Sequence, residues 1–365
     1  LCPWDMGTFG SMTTRFFGPP LRQAAAEARA ILLELAAEEL GVAVSELHAE
    51  AGAVLVTADP ERRRTYAELT QGQRIARKLE REVDLTRPEE FNVIGVEAAR
   101  TDGVEKVTGA AQYSADIRLP GMLHARLLRP PAHGARLEEL DVSAAEALDG
   151  VTVVSEGDLV ACLHAEREAA EGALAQVRAR WSEPEAGPDD ESIYEHLVER
   201  APRPDVAASG GDLDEGREQA AQTVTRRYLN AYVAHAPMEP HAALAQVEDG
   251  QATIWASTQT PFRLQPQAAG ALGLADEQVR VITPFVGGGF GGKSANGQAI
   301  EAARLSQLVG APVQVAWSRE EEFFYDTFRP AAVVDIDAGV TPQGRIAFWD
   351  YVVMHAGERG SAQFY

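Results

Sequence analysis

Apolar residues fall on one stripe, from Leu21 through Ala24, Ala28, Ile31 and Leu32 to Leu35, while Arg22, Glu27, Arg29, Glu34 and Glu38 lie largely on the other side. This spacing predicts an amphipathic helix of about six turns. Pro19-Pro20 would open it, because proline is tolerated in a first helical turn, and Gly41 would close it. Residues 1–18, rich in Gly, Thr and aromatics, read as a loop. Strand-like runs follow at 45–49 and 54–57, and the heavily charged stretch 65–85 reads as helical.

Pro88 to Asn92 reads as a linker into a second stretch. There, 113–116 and 122–128 read as strands around the turn Leu119-Pro120-Gly121. Residues 143–148 read as a short helix, 151–154 as a buried strand and 169–181 as a further helix. The Pro-, Gly- and acid-rich segments 182–190 and 201–214 read as loops. The last stretch is the most patterned. It contains a strand at 223–232, a hairpin of 243–247 and 252–257 around Glu248-Asp249-Gly250, and a helix at 263–272. An apolar strand at 279–286, a helix at 297–308 and a strand at 312–317 complete it. Helices and strands are mixed throughout, which predicts an α+β fold.

Composition narrows the function. The chain has 365 residues, 45% hydrophobic and 24% charged, which is ordinary for a globular protein. No apolar run approaches the length of a membrane span. A net charge of −22 opposes non-specific nucleic-acid binding and docking on anionic lipid. Two cysteines, Cys2 and Cys162, cannot hold an iron–sulfur cluster, which takes four ligands, so any such cluster would belong to another chain. The chain starts at Leu1 without a recognisable leader and stops at Tyr365, which suggests a fragment.

Candidate chemistry centres on Gly287-Gly288-Gly289-Phe290-Gly291-Gly292-Lys293, between a predicted strand and a predicted helix. So many glycines permit close backbone approach to a ligand. Gly287, Gly289 and Gly292 also satisfy G-x-G-x-x-G, so a nicotinamide-dependent dehydrogenase is one reading, with Glu320 as the ribose-binding acid. A tight turn packed on its own helix is another, and a non-catalytic cofactor-binding remnant a third. His235, Glu239 and His241 have the spacing of metal ligands, but Pro237 and Pro240 break any helix that would align them, so no metal site is expected there. The acidic runs 189–191 and 319–322 read as solvated surface.

The glycine loop follows Ser257-Thr258-Gln259-Thr260 and His235-Ala236-Pro237-Met238-Glu239-Pro240 in an order that resembles the molybdenum-binding subunit of the xanthine dehydrogenase and aldehyde oxidase family. Thr108-Gly109-Ala110-Ala111-Gln112-Tyr113, Asp116 and Leu119-Pro120-Gly121-Met122-Leu123-His124-Ala125 resemble that family's small α/β hammerhead domain. Pro3-Trp4-Asp5-Met6-Gly7-Thr8-Phe9-Gly10-Ser11, with Leu21-Arg22-Gln23-Ala24-Ala25-Ala26, resembles its isoquinoline and nicotinate dehydrogenase branch.

The resemblance implies part of a second molybdopterin-binding domain at 1–88, the hammerhead at 89–205 and an incomplete first molybdopterin-binding domain at 206–365. It implies a molybdenum-bearing pterin, in bacteria usually the cytosine dinucleotide form, held by Gln259, Gly288, Gly289, Phe290, Gly291 and Gly292. The pterin dithiolene holds the metal, so no protein ligand to it is needed. Gly10, Ser11, Thr13 and Thr14 would serve the cofactor's phosphates, or else cap the following helix. Lys293 and Ser294 would border the substrate pocket. Purine-oxidising members carry a carboxylate where this chain has Ser294, so an aldehyde or aromatic N-heterocycle is the expected substrate. The family's catalytic glutamate has no counterpart within the chain, so this part alone is expected to be inactive. A small iron–sulfur subunit, and a cytochrome as acceptor, are the implied partners.

Overall fold

The computed structural model describes residues 4–72, 74–76, 82–184 and 187–357, so Cys2, Pro3 and the C-terminal residues 358–365 lie outside the described residues. The chain divides into two compact units, residues 11–104 in one and residues 1–10 with 105–365 in the other. The architecture is mixed α and β with several sheets, as expected.

The smaller unit rests on helix Thr13–Leu40, whose stripe buries Ala30, Ile31 and Ala36. Gly41 ends it in the left-handed region, at φ 66°, and donates its N–H to Ala37 O. An antiparallel sheet of Leu47–Glu50, Ala53–Val56 and Asp59–Thr65 follows. Ala36 packs with Leu47, Val54, Val56 and Leu69. Two expectations need correction. The helix starts at Thr13, so Pro19 and Pro20 lie inside it and remove two interior donors instead of opening its first turn. The charged stretch 65–85 is helical only over Tyr66–Thr70, because Gln71 and Gly72 turn to positive φ, at 47° and 69°. Residues 73 and 77–81 of that stretch lie outside the described residues.

The larger unit is organised by a seven-stranded sheet. Its order is Val279–Ile282, Gln251–Ala256, Ala242–Glu248, Val313–Ala316, Leu123–Leu127, Leu159–His164 and Thr152–Glu156. The expected hairpin is present, with Asp249 and Gly250 both at positive φ, as a type I′ turn requires. Helices Pro261–Leu272 and Gly297–Val309 bury Leu264, Ala268, Ala302, Ala303 and Leu305 in the same core as Ala243, Ala245 and Ile254 of the sheet. The strand Val313–Ala316 also pairs in parallel with Leu123–Leu127, so segments from either side of residue 205 share one sheet. A separate sheet joins Gln222–Asn230, Ala332–Val340 and Ile346–His355.

Four further corrections arise here. Residues 113–116 form a turn, not a strand, because the Asp116 carboxylate accepts the Tyr113 N–H. The buried strand is Leu159–His164, and the one expected at 151–154 is its partly exposed edge neighbour Thr152–Glu156. The helix expected over 169–181 divides into helix Arg167–Leu174 and strand Arg178–Trp181, where exposed Arg alternates with half-buried Ala and Trp. The strand expected over 279–286 stops at Ile282, two residues before Pro284, which has no N–H for a ladder. Among the described residues, no helix is long and apolar enough to cross a membrane.

Cys162 is wholly buried on the Leu159–His164 strand, against Ala145 and Ala173. Burial disfavours the thiolate and pushes the thiol up to about 11, from an ordinary value of 9.0. The folded state therefore keeps this proton where the unfolded chain releases it. The contribution to stability is complete below pH 9.0 and is lost as the pH rises towards about 11. Cys162→Ala should show a shallower fall in unfolding free energy across that window than the parent, measured by urea denaturation at stepped pH.

Candidate functional site

The loop 287–292 leaves the sheet after Val279–Ile282 and runs into helix Gly297–Val309 through a short 3₁₀ turn, Gly292–Ser294. Its backbone is contorted. Gly288 has φ 92°, Phe290 φ 56° and Gly291 φ 115°. Phe290 keeps this left-handed conformation although the residue is 72% exposed, so core packing does not impose it.

Close approach explains the glycines. A Cβ on Gly287 would stand 2.5 Å from Cβ of Glu239 and one on Gly291 would stand 2.9 Å from Nε2 of His235. A Cβ on Gly289 would run into the Gln259 carboxamide, and one on Gly292 into the Asp326 carboxylate. The loop is thus seated on side chains from three other segments.

Three loop amides tie it down. Gly287 N–H donates to Glu239 Oε2 (2.8 Å), Gly291 N–H to Gln259 Oε1 (2.9 Å) and Gly292 N–H to Gly289 O (2.9 Å). The N–H groups of Gly288, Gly289 and Phe290 between them have no acceptor among the described residues. Three successive unpaired donors are unusual where Gly289 is buried, since buried backbone groups are nearly always paired. Consecutive amides of this kind suit an anionic acceptor.

The Glu239 carboxylate also receives Lys293 Nζ, at 2.5 Å. The Lys293 side chain is fully buried and that of Glu239 12% exposed. Burial lowers the Lys293 pKa, and Glu239 opposes that shift by favouring the ammonium. Lys293, expected at a substrate pocket, is therefore packed in the interior on Glu239.

Residues 257–260 are laced to the other end of the loop. Gln259 N–H donates to Lys293 O (2.8 Å), Thr258 Oγ1 to Asn296 Oδ1 (2.6 Å) and Asn296 Nδ2 to Thr260 Oγ1 (3.0 Å). Gln259 Nε2 donates to Thr8 O (2.7 Å), and Thr8 N–H returns a bond to Gln259 O (2.9 Å). One of the two Nε2 hydrogens is left over. The Ser294 hydroxyl is buried without a partner. Sequence reasoning assigned no role to Thr8, Asp326 or the Glu239–Lys293 pair. Their signal is spatial, since 54 positions separate Glu239 from Lys293.

The remaining candidates fall elsewhere. Gly10 ends the first segment of the larger unit, and Ser11, Thr13 and Thr14 open the smaller one, all exposed. No side chain caps helix Thr13–Leu40, so the capping role weighed for them is not realised. The run 319–322 is corrected. It opens helix Arg319–Tyr325, whose N-terminus Ser318 caps, and Glu322 is buried while Glu321 meets Arg126 and Arg129. His235 and His241 approach Asp326 instead of sharing a site with Glu239.

The geometry disfavours nicotinamide binding. The third glycine of G-x-G-x-x-G should open the helix, yet helix Gly297–Val309 starts five residues beyond Gly292. The following strand, Val313–Ala316, is separated from Val279–Ile282 by two strands, and Glu320 lies on a helix.

Residues 1–115 and 198–358 each match the family described as molybdopterin cofactor-binding domain. A nicotinate dehydrogenase subunit of Pseudomonas putida is 32% identical over 96% of this chain and 30% of its own length. The beta subunit of isoquinoline 1-oxidoreductase from Brevundimonas diminuta is 28% identical over 91% of this chain and 48% of its own. The chain thus spans about a third to a half of these relatives. Among solved structures, quinoline 2-oxidoreductase of Pseudomonas putida 86 superposes with a TM-score of 0.59 at 24% identity, covering 71% of this chain and 39% of that one. Aldehyde oxidoreductase of Desulfovibrio gigas gives 0.57 at 20%, covering 68% and 33%. These likenesses establish a common fold.

Glu239→Gln should leave the Lys293 ammonium buried without its counter-charge. Breaking a buried pair from one side costs about 3–5 kcal/mol, whereas replacing both partners costs far less. Denaturant unfolding of Glu239→Gln, Lys293→Met and the double variant should therefore show a double-variant loss well below the sum of the singles.

Proposed function

The chain belongs to the molybdenum-binding subunits of the xanthine dehydrogenase family, and on that premise we propose that it builds the cofactor cradle of a molybdenum hydroxylase. The reaction is oxidation of an aldehyde or aromatic N-heterocycle with water as the oxygen source. The observation that carries this reading is the row of unpaired N–H groups at Gly288, Gly289 and Phe290, on a loop whose other amides fasten it to Glu239, Gln259 and itself. An anionic pterin is the kind of acceptor such donors fit, and they recognise it without adding side-chain charge.

When bound, the molybdenum–pterin group supplies the redox centre for substrate oxidation. This chain's residues hold and orient it. Gly288, Gly289 and Phe290 donate backbone hydrogen bonds. The second Nε2 hydrogen of Gln259 would be available to an oxygen of the group, while Oε1 holds Gly291 in place. The exposed Phe290 ring and the partnerless Ser294 hydroxyl border the substrate, and Lys293 supports that border from beneath through Glu239. Gly291 and Gly292 keep the loop low on its seat. Gly10, Ser11, Thr13 and Thr14 serve the phosphates of a dinucleotide-type cofactor, for which the cytosine form is proposed. A neutral hydroxyl at Ser294 suits an aldehyde or pyridine-type ring better than a purine that needs a carboxylate partner.

The division into a second cofactor-binding piece at 1–88, a hammerhead at 89–205 and a first cofactor-binding domain at 206–365 belongs to the same proposal. So do the partners. Electrons must leave the centre, and the resemblance supplies a small iron–sulfur subunit to receive them, with a cytochrome to follow.

Gly288→Val in the intact subunit forces a β-branched residue into φ 92°, beside Pro237 and the Phe290 ring. Bound molybdenum should fall from stoichiometric to background while circular dichroism stays unchanged. Retention of full molybdenum would reduce the loop to a packing turn. Gln259→Ala should keep most of the cofactor and lose about 1–3 kcal/mol of its binding, read as a raised dissociation constant.

A further inference from the structure

Residues 5–9 bear directly on one residue of the site, and the cofactor reading gives them no role. Residues 1–10 belong to the larger unit, although residues 11–104, which follow them directly, form the smaller one. Within the larger unit Thr8 meets Gln259, 251 positions away along the chain.

The polar groups of Gln259 are almost all engaged. Its N–H donates to Lys293 O (2.8 Å), and its C=O accepts the Thr8 N–H (2.9 Å). Oε1 accepts the Gly291 N–H (2.9 Å), and Nε2 donates one hydrogen to Thr8 O (2.7 Å). So close an approach requires glycine at position 7. Its φ is 126°, and a Cβ there would stand 2.7 Å from Gln259 O and 2.9 Å from Cγ2 of Thr260. The Asp5 carboxylate accepts the Gly7 N–H and so steadies the turn that presents Thr8. The carboxamide is also packed against Gly289, where a Cβ would collide with it.

A carboxamide turned end for end keeps its shape, so its hydrogen-bond partners decide which way it faces. The reverse facing of Gln259 would set its NH₂ against the Gly291 N–H and its oxygen against Thr8 O. Two hydrogen bonds would become two contacts between like groups.

We propose that residues 5–9 act as a positioning strap: the Thr8 backbone fixes the facing of the Gln259 carboxamide, so that Oε1 holds Gly291 and the remaining Nε2 hydrogen is kept for an acceptor on the bound cofactor. That last step rests on the cofactor reading above, whereas the coupling from Thr8 through Gln259 to Gly291 does not. Thr8 lies in the first stretch that matches a molybdopterin cofactor-binding domain, and Gln259 and Gly291 lie in the second. One matched stretch thus orients a donor of the other. Both bonds from Thr8 use backbone atoms, so the position open to substitution is Gly7.

The test is hydrogen exchange, read by mass spectrometry, on the intact subunit without cofactor. Gly7→Ala should lift Thr8 off Gln259 and speed exchange in the peptides covering 288–292 on the order of tenfold. Strand Gln251–Ala256 and helix Gly297–Val309 should keep their parent rates. In a Gln259→Ala background the same substitution should add nothing, which separates an effect through the carboxamide from general loosening. Coupling is reciprocal. Gln259→Glu, which offers Thr8 O an acceptor in place of a donor, should therefore speed exchange across residues 5–9 by a similar factor. Parent exchange at 288–292 in Gly7→Ala overturns the proposal, as does an acceleration that persists without the carboxamide. Should Gly7→Ala unfold, Gln259→Glu decides, and parent exchange across 5–9 then overturns it. With cofactor bound, the molybdenum(V) electron paramagnetic resonance signal of Gly7→Ala should move towards that of Gln259→Ala, and an unmoved signal overturns the last step. A parent subunit that takes up no molybdenum contradicts the cofactor reading, and the exchange result still decides the strap.

Discussion

A fully buried ammonium needs a counter-charge, and in this chain Glu239 alone among the described residues pairs with Lys293. The carboxylate oxygen that meets Lys293 also accepts the N–H of Gly287, so one atom neutralises the charge and anchors the start of the glycine loop. Lys293 in turn offers its carbonyl to Gln259, whose side chain holds Gly291. The loop is therefore clamped at both ends by a circuit through one buried ion pair. Its middle, Gly288 to Phe290, is left with donors aimed at no described group of the protein.

That circuit explains why glycine recurs at neighbouring positions for different reasons. Gly287 makes room for the Glu239 backbone and Cβ, Gly289 for the Gln259 carboxamide, and Gly292 for Asp326. Only Gly288 and Gly291 also require positive φ. Phe290 adopts such a φ without being glycine, and it is the exposed residue of the loop. Strain tolerated at an exposed aromatic, beside unpaired amides, is what a ligand-facing turn would carry.

Much of this fold was legible in the pattern of the chain. The hairpin at Ala242–Ala256, the two core helices and the following strand have strong periodicity and turn chemistry, and they appear where expected. Misreadings came where charge or proline outweighed pattern. The strand Asp59–Thr65 drew no reading from the sequence, because most of it is charged and its pairing rather than its pattern makes it a strand. The pair Pro19-Pro20 reads as a start although the helix begins earlier. In the site, the glycine loop and Gln259 stood out as local motifs. Glu322 read as surface because three acids adjoin Arg319, and only the folded chain turns one of them inward against His241. The pairing of Glu239 with Lys293 and the approach of Thr8 to Gln259 join segments distant in sequence, which no local spacing encodes.

The most direct measurement is a crystal structure of the intact subunit with anomalous data collected at the molybdenum absorption edge. The expected result is a molybdenum peak beside Gly288–Phe290, with pterin acceptors within hydrogen-bond distance of those three N–H groups. A molybdenum peak bordered by other segments, with the three amides facing only water, would contradict it.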